Sequence, residues 1–94
     1  MTGISIVITP LRNKFGSSYG AEARDQNSNA LLATAKQVDF DEKTQILVVE
    51  ETQYSPGGDV IYMAKLFFGP GGDLQKEQPI EGQKRWNIFQ SWSL

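Results

Sequence analysis

The sequence predicts a single mainly β domain, a small antiparallel barrel or sandwich of about five strands with one long polar loop. Three observations indicate this class. The chain has 94 residues and 39% hydrophobic content, which suits one compact core. Short runs of β-branched and aromatic residues recur along it. Two Pro-Gly-Gly-Asp turns, at 56–59 and 70–73, bracket one of these runs. The domain is expected to span residues 1–94.

The clearest strand is predicted over residues 59–68, where large apolar side chains occupy both faces. Residues 44–52 come just before its first Pro-Gly-Gly-Asp turn and are apolar at their centre. The two segments should therefore pair as an antiparallel hairpin. A first strand is predicted over residues 4–9 and a last one over residues 85–94, the latter with its tryptophans on one face.

Residues 28–40 fit two structures. Leu31, Leu32, Ala35 and Val38 have helical spacing after the capping residue Ser28. The alternation over 33–40 instead fits a strand that turns at 41–43 into the next strand. The strand is preferred for residues 33–40, and a helix of about one to two turns before it stays open.

Two polar segments are predicted to be loops. Residues 12–29 contain two glycines and few apolar residues, and residues 74–83 are interrupted by Pro79 and Gly82. The alternative fold is a ferredoxin-like βαββαβ arrangement, which needs helices near 21–37 and 71–83. Polar residues at 27–29 and Pro79 count against those helices.

The composition limits the chemistry. Without cysteine or histidine, the chain has no disulfide, thiolate nucleophile, cysteine-based zinc site or histidine-containing dyad. We expect no cofactor and no metal. The apolar runs are too short to span a bilayer, and no export signal is evident. We therefore expect no membrane association and a cytoplasmic location.

Charge is distributed unevenly along the chain. Residues 25–59 carry seven acidic residues against two lysines, a net charge of −5, whereas the whole chain has −2. An acidic centre between mildly basic ends can steer a charged partner.

The function expected first is a non-enzymatic protein-interaction or assembly module that binds a protein partner or a second copy of the chain. A single-layer sheet cannot cover both apolar faces of residues 60–68, and a tryptophan near a chain end suits an interface anchor. The candidate contact residues are Met63, Phe67, Trp86 and Trp92.

Two alternatives remain. A single-stranded nucleic-acid-binding β-barrel would use cations for phosphates and aromatic rings for bases. Its candidate residues are Arg12, Lys14, Phe15, Tyr19, Lys84 and Arg85, and they form one surface only if the first and last strands are neighbours. The second alternative is a small cofactor-independent enzyme that works as a dimer.

Overall fold

The described residues form one antiparallel sheet in which each strand pairs with its neighbours in the sequence. The computed structural model describes residues 4–13 and 16–86, with side chains from Gly20 onwards. The six strands are β1 Ile4–Asn13, β2 Gly16–Asp25, β3 Leu31–Asp41, β4 Ile46–Tyr54, β5 Val60–Phe68 and β6 Leu74–Gly82. Strands β1 and β6 are the edges, and no pairing between them closes the described sheet into a barrel.

The mainly β, antiparallel class is confirmed, with no helix in the described residues. The predicted hairpin of 44–52 and 59–68 corresponds to β4 and β5. The strand preferred for residues 33–40 is confirmed as part of β3. Of the predicted last strand, residues 85–86 belong to no strand, and residues 87–94 lie outside the described part.

The long polar loop predicted over residues 12–29 is wrong. Strand β2 occupies most of it and pairs with β1 over ten residues and with β3 on its other side. The apolar signal is weak here because alanine has low β propensity and adds little hydrophobicity. Ala21 and Ala23 are nevertheless buried in the core.

The loop predicted over residues 74–83 is also wrong. Strand β6 pairs with β5 from Leu74 opposite Phe68 to Gly82 opposite Tyr62, with two register breaks. Pro79 is tolerated because an edge strand needs ladder donors on one side only. The segments in which the ferredoxin-like alternative needs helices consist of strands and turns.

The core lies on one face of the sheet, which we call the inner face. On β5 the buried residues alternate with more exposed ones, as the two-residue period of a strand requires. The register extends this face across β4 to the alanines of β3 and β2. Its apolar cluster consists of Ala21, Ala23, Ala33, Ala35, Val49, Leu66 and Phe68. Leu47, Leu74 and Trp86 pack against this cluster.

Candidate functional site

Polar side chains interrupt the inner face where β4, β5 and β6 meet. Glu51 and Gln53 on β4 have no exposed surface, and Tyr62 on β5 is 2% exposed. The Tyr62 hydroxyl donates a hydrogen bond to the Glu77 carboxylate on β6. Lys84 Nζ lies 2.8 Å from Glu77 Oε1. We call these five residues the polar cluster.

Hydrogen bonds from Gln53 hold the residues that follow β6 against the inner face. Its Nε2 donates to the carbonyl oxygen of Trp86 and to Glu51 Oε1, both at 2.7 Å. Its Oε1 accepts the backbone N–H groups of Arg85 at 3.0 Å and Trp86 at 3.1 Å. A primary amide has two N–H donors and two lone pairs, and all four are used. The side chain thus pairs with residues 85–86 much as a neighbouring strand would.

Two members of the polar cluster, Tyr62 and Glu77, have shifted pKa values. Burial raises the pKa of the Tyr62 hydroxyl, and the nearby Glu77 and Glu51 carboxylates raise it further. Burial also raises the pKa of Glu77, but the hydrogen bonds from Lys84 and Tyr62 outweigh this, so the net pKa is below its usual value. Tyr62 is therefore a neutral donor and Glu77 an ionised acceptor.

The hydrogen bonds of the polar cluster point mainly to one another and to residues 85–86. Only Lys84 of the cluster lines the adjoining open hollow of about 430 Å³, together with Ile61, Gln83 and Arg85. This geometry holds the chain in place and presents little of the cluster to a ligand.

At the other end of the sheet, the described pairing of β2 with β3 stops before either strand ends. Their described pairing ends at Gly20 opposite Lys36. Beyond this point β1 and β2 stay paired for four more residue pairs, and β3 stays paired with β4 as far as Asp41 opposite Ile46. Between residues 16–19 and 37–41 the described ladder contains no pair. We call this unpaired region the fork.

The β3 side of the fork exposes large apolar side chains. Val38 and Phe40 are each 42% exposed, whereas Ala33 and Ala35 on the same strand are 0% and 4% exposed. A register irregularity between Gln37 and Asp39 separates the two parts of the strand. Such a bulge bends a strand and redirects its side chains. Together with the end of β2–β3 pairing, it accounts for the change in exposure.

A side-chain carboxylate caps the backbone of β3 at the fork. The N–H group of Phe40 donates to Asp39 Oδ1 at 2.8 Å. A local carboxylate that accepts a strand N–H takes the place of a neighbouring strand's carbonyl. Rotation of the Asp39 side chain can release the Phe40 N–H, whereas a carbonyl in a ladder is fixed by its strand.

Beside the fork, Phe40 also lines an open hollow of about 320 Å³. Its other walls are Gln45, Leu47, Phe68, Gly69, Pro70, Gly71 and Gly72. Phe40, Leu47 and Phe68 give the hollow apolar walls, whereas Gln45, its only polar side chain, and backbone groups give it a polar part as well. Exposed acidic residues flank Phe40 along the chain, namely Asp39, Asp41 and Glu42, with Lys43 as the cation in that stretch.

The predicted partner-binding residues lie on different faces of the sheet. Met63 and Phe67 belong to the face opposite the inner face and are half-buried, and Lys76 Nζ is 5.5 Å from the centre of the Phe67 ring. Trp86 packs against the inner-face cluster. Trp92 lies outside the described residues. The described three therefore do not form one surface.

The predicted nucleic-acid residues are also separated. Arg12 and Tyr19 belong to the β1–β2 hairpin beside the fork, while Lys14 and Phe15 lie outside the described residues. At the opposite end, Lys84 pairs with Glu77 and Arg85 lies 5.4 Å from the Trp86 ring. The described members of the set therefore lie at two ends of the sheet. The last strand that was predicted to join them, over residues 85–94, lies almost wholly outside the described residues.

Sequence reasoning missed both the polar cluster and the fork. A signal for the polar cluster was present, since Glu51 and Gln53 continue the inner-facing alternation of Leu47 and Val49. The fork has no comparable signal, because it depends on where pairing between two strands stops.

Within the described part of the chain, no helix has the length and apolar character needed to cross a membrane. The same residues contain no group of three or more acidic side chains arranged to hold a metal ion. Comparisons with protein-family models, with curated proteins and with solved structures find no match.

Proposed function

We propose that this domain is a non-enzymatic protein-interaction module and that it binds its partner at the forked end of the sheet. The observation that carries the proposal is the exposure of Val38 and Phe40 beside an open hollow. A cluster of exposed apolar side chains on a small domain is typical of an interaction site.

A protein partner fits this end better than a small molecule. The hollow is open, and its walls offer one polar side chain, Gln45. Small-molecule sites enclose most of their ligand and use several placed polar groups to orient it. A protein supplies an apolar side chain for the hollow and covers the surrounding strand ends at the same time.

The opposite face of the sheet gives less support to an interface. Its central row contains the alternating charges of Lys36, Glu50 and Lys65 on adjacent strands, with Lys36 Nζ 3.9 Å from Glu50 Oε1. Such a row is typical of a solvated face of an antiparallel sheet. Contacts of Met63 and Phe67 with a partner stay a prediction. Nucleic-acid binding has less support because its described cations, Arg12, Lys84 and Arg85, lie at two ends of the sheet.

The substitution Phe40→Asp tests the proposal, with Val60→Asp as its matched control. Val60 is 52% exposed and begins β5, away from the fork, so both changes replace an exposed apolar side chain by a carboxylate. We expect the unmodified protein and Val60→Asp to retain the same partner from a lysate of the native source. Phe40→Asp should not retain this partner. Circular dichroism should show all three folded.

Two outcomes would contradict the proposal. One is retention of the same partners by Phe40→Asp at unchanged levels. The other is that the unmodified protein retains no partner and stays monomeric by light scattering.

A further inference from the structure

Building on the proposed function, we infer that the partner segment is an extended basic peptide that adds as a strand to the edge of β3 in the fork. In this mode, main-chain hydrogen bonds supply affinity and pockets for alternate side chains supply specificity. The fork offers a backbone edge, a hollow beside it and acidic side chains along it.

Among the described strands, residues 37–41 of β3 are paired on one side only. Strand β4 pairs with one side of this stretch, while the described ladder pairs no strand with its other side. The Phe40 N–H donates a hydrogen bond to Asp39 Oδ1 at 2.8 Å. An incoming strand replaces this acceptor with its own carbonyl oxygen, so the edge gains a ladder bond and the carboxylate is released.

The released carboxylate favours a basic partner. Asp39, Asp41 and Glu42 are exposed, and Lys43 is the one cation in that stretch, so residues 39–43 carry a net charge of −2. A lysine or arginine on the added strand pairs with Asp39 as the strand carbonyl displaces it. A second copy of this chain would bring the same carboxylates together, which is unfavourable.

Side-chain alternation adds the second requirement. A strand beside β3 that places one residue against Phe40, which borders the hollow on the side of β4 and β5, directs the next residue to the other face. On β3 itself, Asp39 alternates with Phe40 in this way. A peptide with alternating apolar and basic residues therefore meets the apolar ring of Phe40 with one set and the carboxylates with the other.

The edge strand β6 is less suited to accept an added strand than the fork is. It carries Pro79, two register breaks and the exposed charges of Lys76 and Glu81. These are features by which proteins protect a sheet edge from added strands. Residues 37–41 contain neither proline nor a basic residue.

The test is a titration of the isotope-labelled protein, followed by NMR, with a capped peptide of alternating lysine and valine, about six residues long. We expect amide shifts concentrated at residues 37–41 and weaker binding at higher salt. A peptide with glutamate in place of lysine, and one with proline in place of valine, should leave the spectrum unchanged.

The double variant Asp39→Asn/Asp41→Asn should weaken binding of the lysine–valine peptide by about fivefold or more, because two ion pairs are lost while the amides still cap the backbone. Asp59→Asn removes a carboxylate from the distant β4–β5 turn and should bind as the unmodified protein does. Equal binding of the glutamate or proline peptide, or shifts outside the fork, would overturn the inference.

The partner retained in the Phe40→Asp experiment separates this inference from the proposed function. If Phe40→Asp loses that partner but the lysine–valine peptide does not bind at the fork, the strand-addition inference is wrong and the interaction module stands. If Phe40→Asp keeps the partner, the proposed function is wrong.

Discussion

Gln53 shows how a polar residue is accommodated in the core of a small domain. Burying an amide costs free energy unless its hydrogen bonds are made. Here all four are made, three of them to the backbone of residues 85–86. Without this side chain, those backbone groups would lose their hydrogen-bond partner. The free energy of unfolding would fall by about 1–3 kcal/mol for each of them that water cannot reach. The residue therefore specifies where the chain after β6 lies.

Glu77 should make the stability of the domain depend on pH in acid. Its folded-state pKa is below the usual 4.5 because the hydrogen bonds from Lys84 and Tyr62 outweigh the effect of burial. The unfolded chain therefore takes up this proton more readily than the folded chain. The stabilisation is present above the usual pKa and is lost as the pH falls through the lowered one. We expect Glu77→Gln to flatten the decline in unfolding free energy in this range, measured by urea denaturation from neutral pH downwards.

Glu81→Gln is the matched control for this prediction. Glu81 is an exposed carboxylate on the same strand, and its variant should keep the acid dependence of the unmodified protein. Parallel pH profiles for Glu77→Gln and the unmodified protein would show that the contacts of Glu77 do not couple to folding.

At the scale of the elements, turn chemistry sets the register of the hairpins. In the two Pro-Gly-Gly-Asp turns, the N–H of Gly58 and of Gly72 donates to the carbonyl oxygen three residues earlier, both at 2.9 Å. The β2–β3 turn and the β3–β4 turn each begin with an aspartate. Asp25 and Asp41 each accept a backbone N–H two residues later, at 2.8 and 3.0 Å. Hydrogen bonds from the N–H groups of Ser28 and Asn27 lower the pKa of Asp25.

Gly58 and Gly57 give a direct test of the first of these turns. Gly58 has a φ of +92°, whereas a Cβ at Gly57 would meet its nearest atom at 3.8 Å. We expect Gly58→Ala to destabilise the protein by about 1–2 kcal/mol, because a Cβ is strained in the left-handed region. Gly57→Ala should be close to neutral. Thermal unfolding of both variants measures this, and equal melting temperatures would contradict the turn geometry.

The elements that could be predicted are those with large, alternating side chains. Strands β4 and β5 and the turn between them follow from their own residues, because alternation and turn chemistry are local. Strand β2 was missed because it fills the core with Ala21 and Ala23, whose small side chains carry little signal. Strand β6 was missed because it is polar and contains Pro79, which only its position at an edge permits.

The candidate site was predicted less well than the fold. The apolar character of Val38 and Phe40 is visible in the sequence, but their exposure is not. It follows from the bulge after Gln37 and from the end of β2–β3 pairing. Both depend on which strand lies beside β3, and the prediction of a loop over residues 12–29 leaves β3 without this neighbour.

At the scale of the whole molecule, the two ends of the sheet have different roles. Every described pairing joins strands adjacent in the sequence, so each hairpin forms from local contacts. One end is held by the polar cluster, which fastens residues 85–86 across the inner face. At the other end the β1–β2 and β3–β4 hairpins continue without pairing to each other. Order in the sheet should therefore decrease toward the fork.

Amide hydrogen exchange tests this difference without any substitution. Protection follows the free energy of local opening, and amides in paired, buried strands exchange slowest. We expect the slowest exchange at buried positions of β4 and β5, such as Val49 and Leu66. Within β3, the Phe40 amide donates to the Asp39 side chain, whereas Ala33 lies between two paired strands. Phe40 should therefore exchange at least about tenfold faster than the slowest amides around Ala33. Equal protection at these positions, measured by NMR, would mean that the β2–β3 ladder continues to the hairpin tips and that no open strand edge exists there for a partner to occupy.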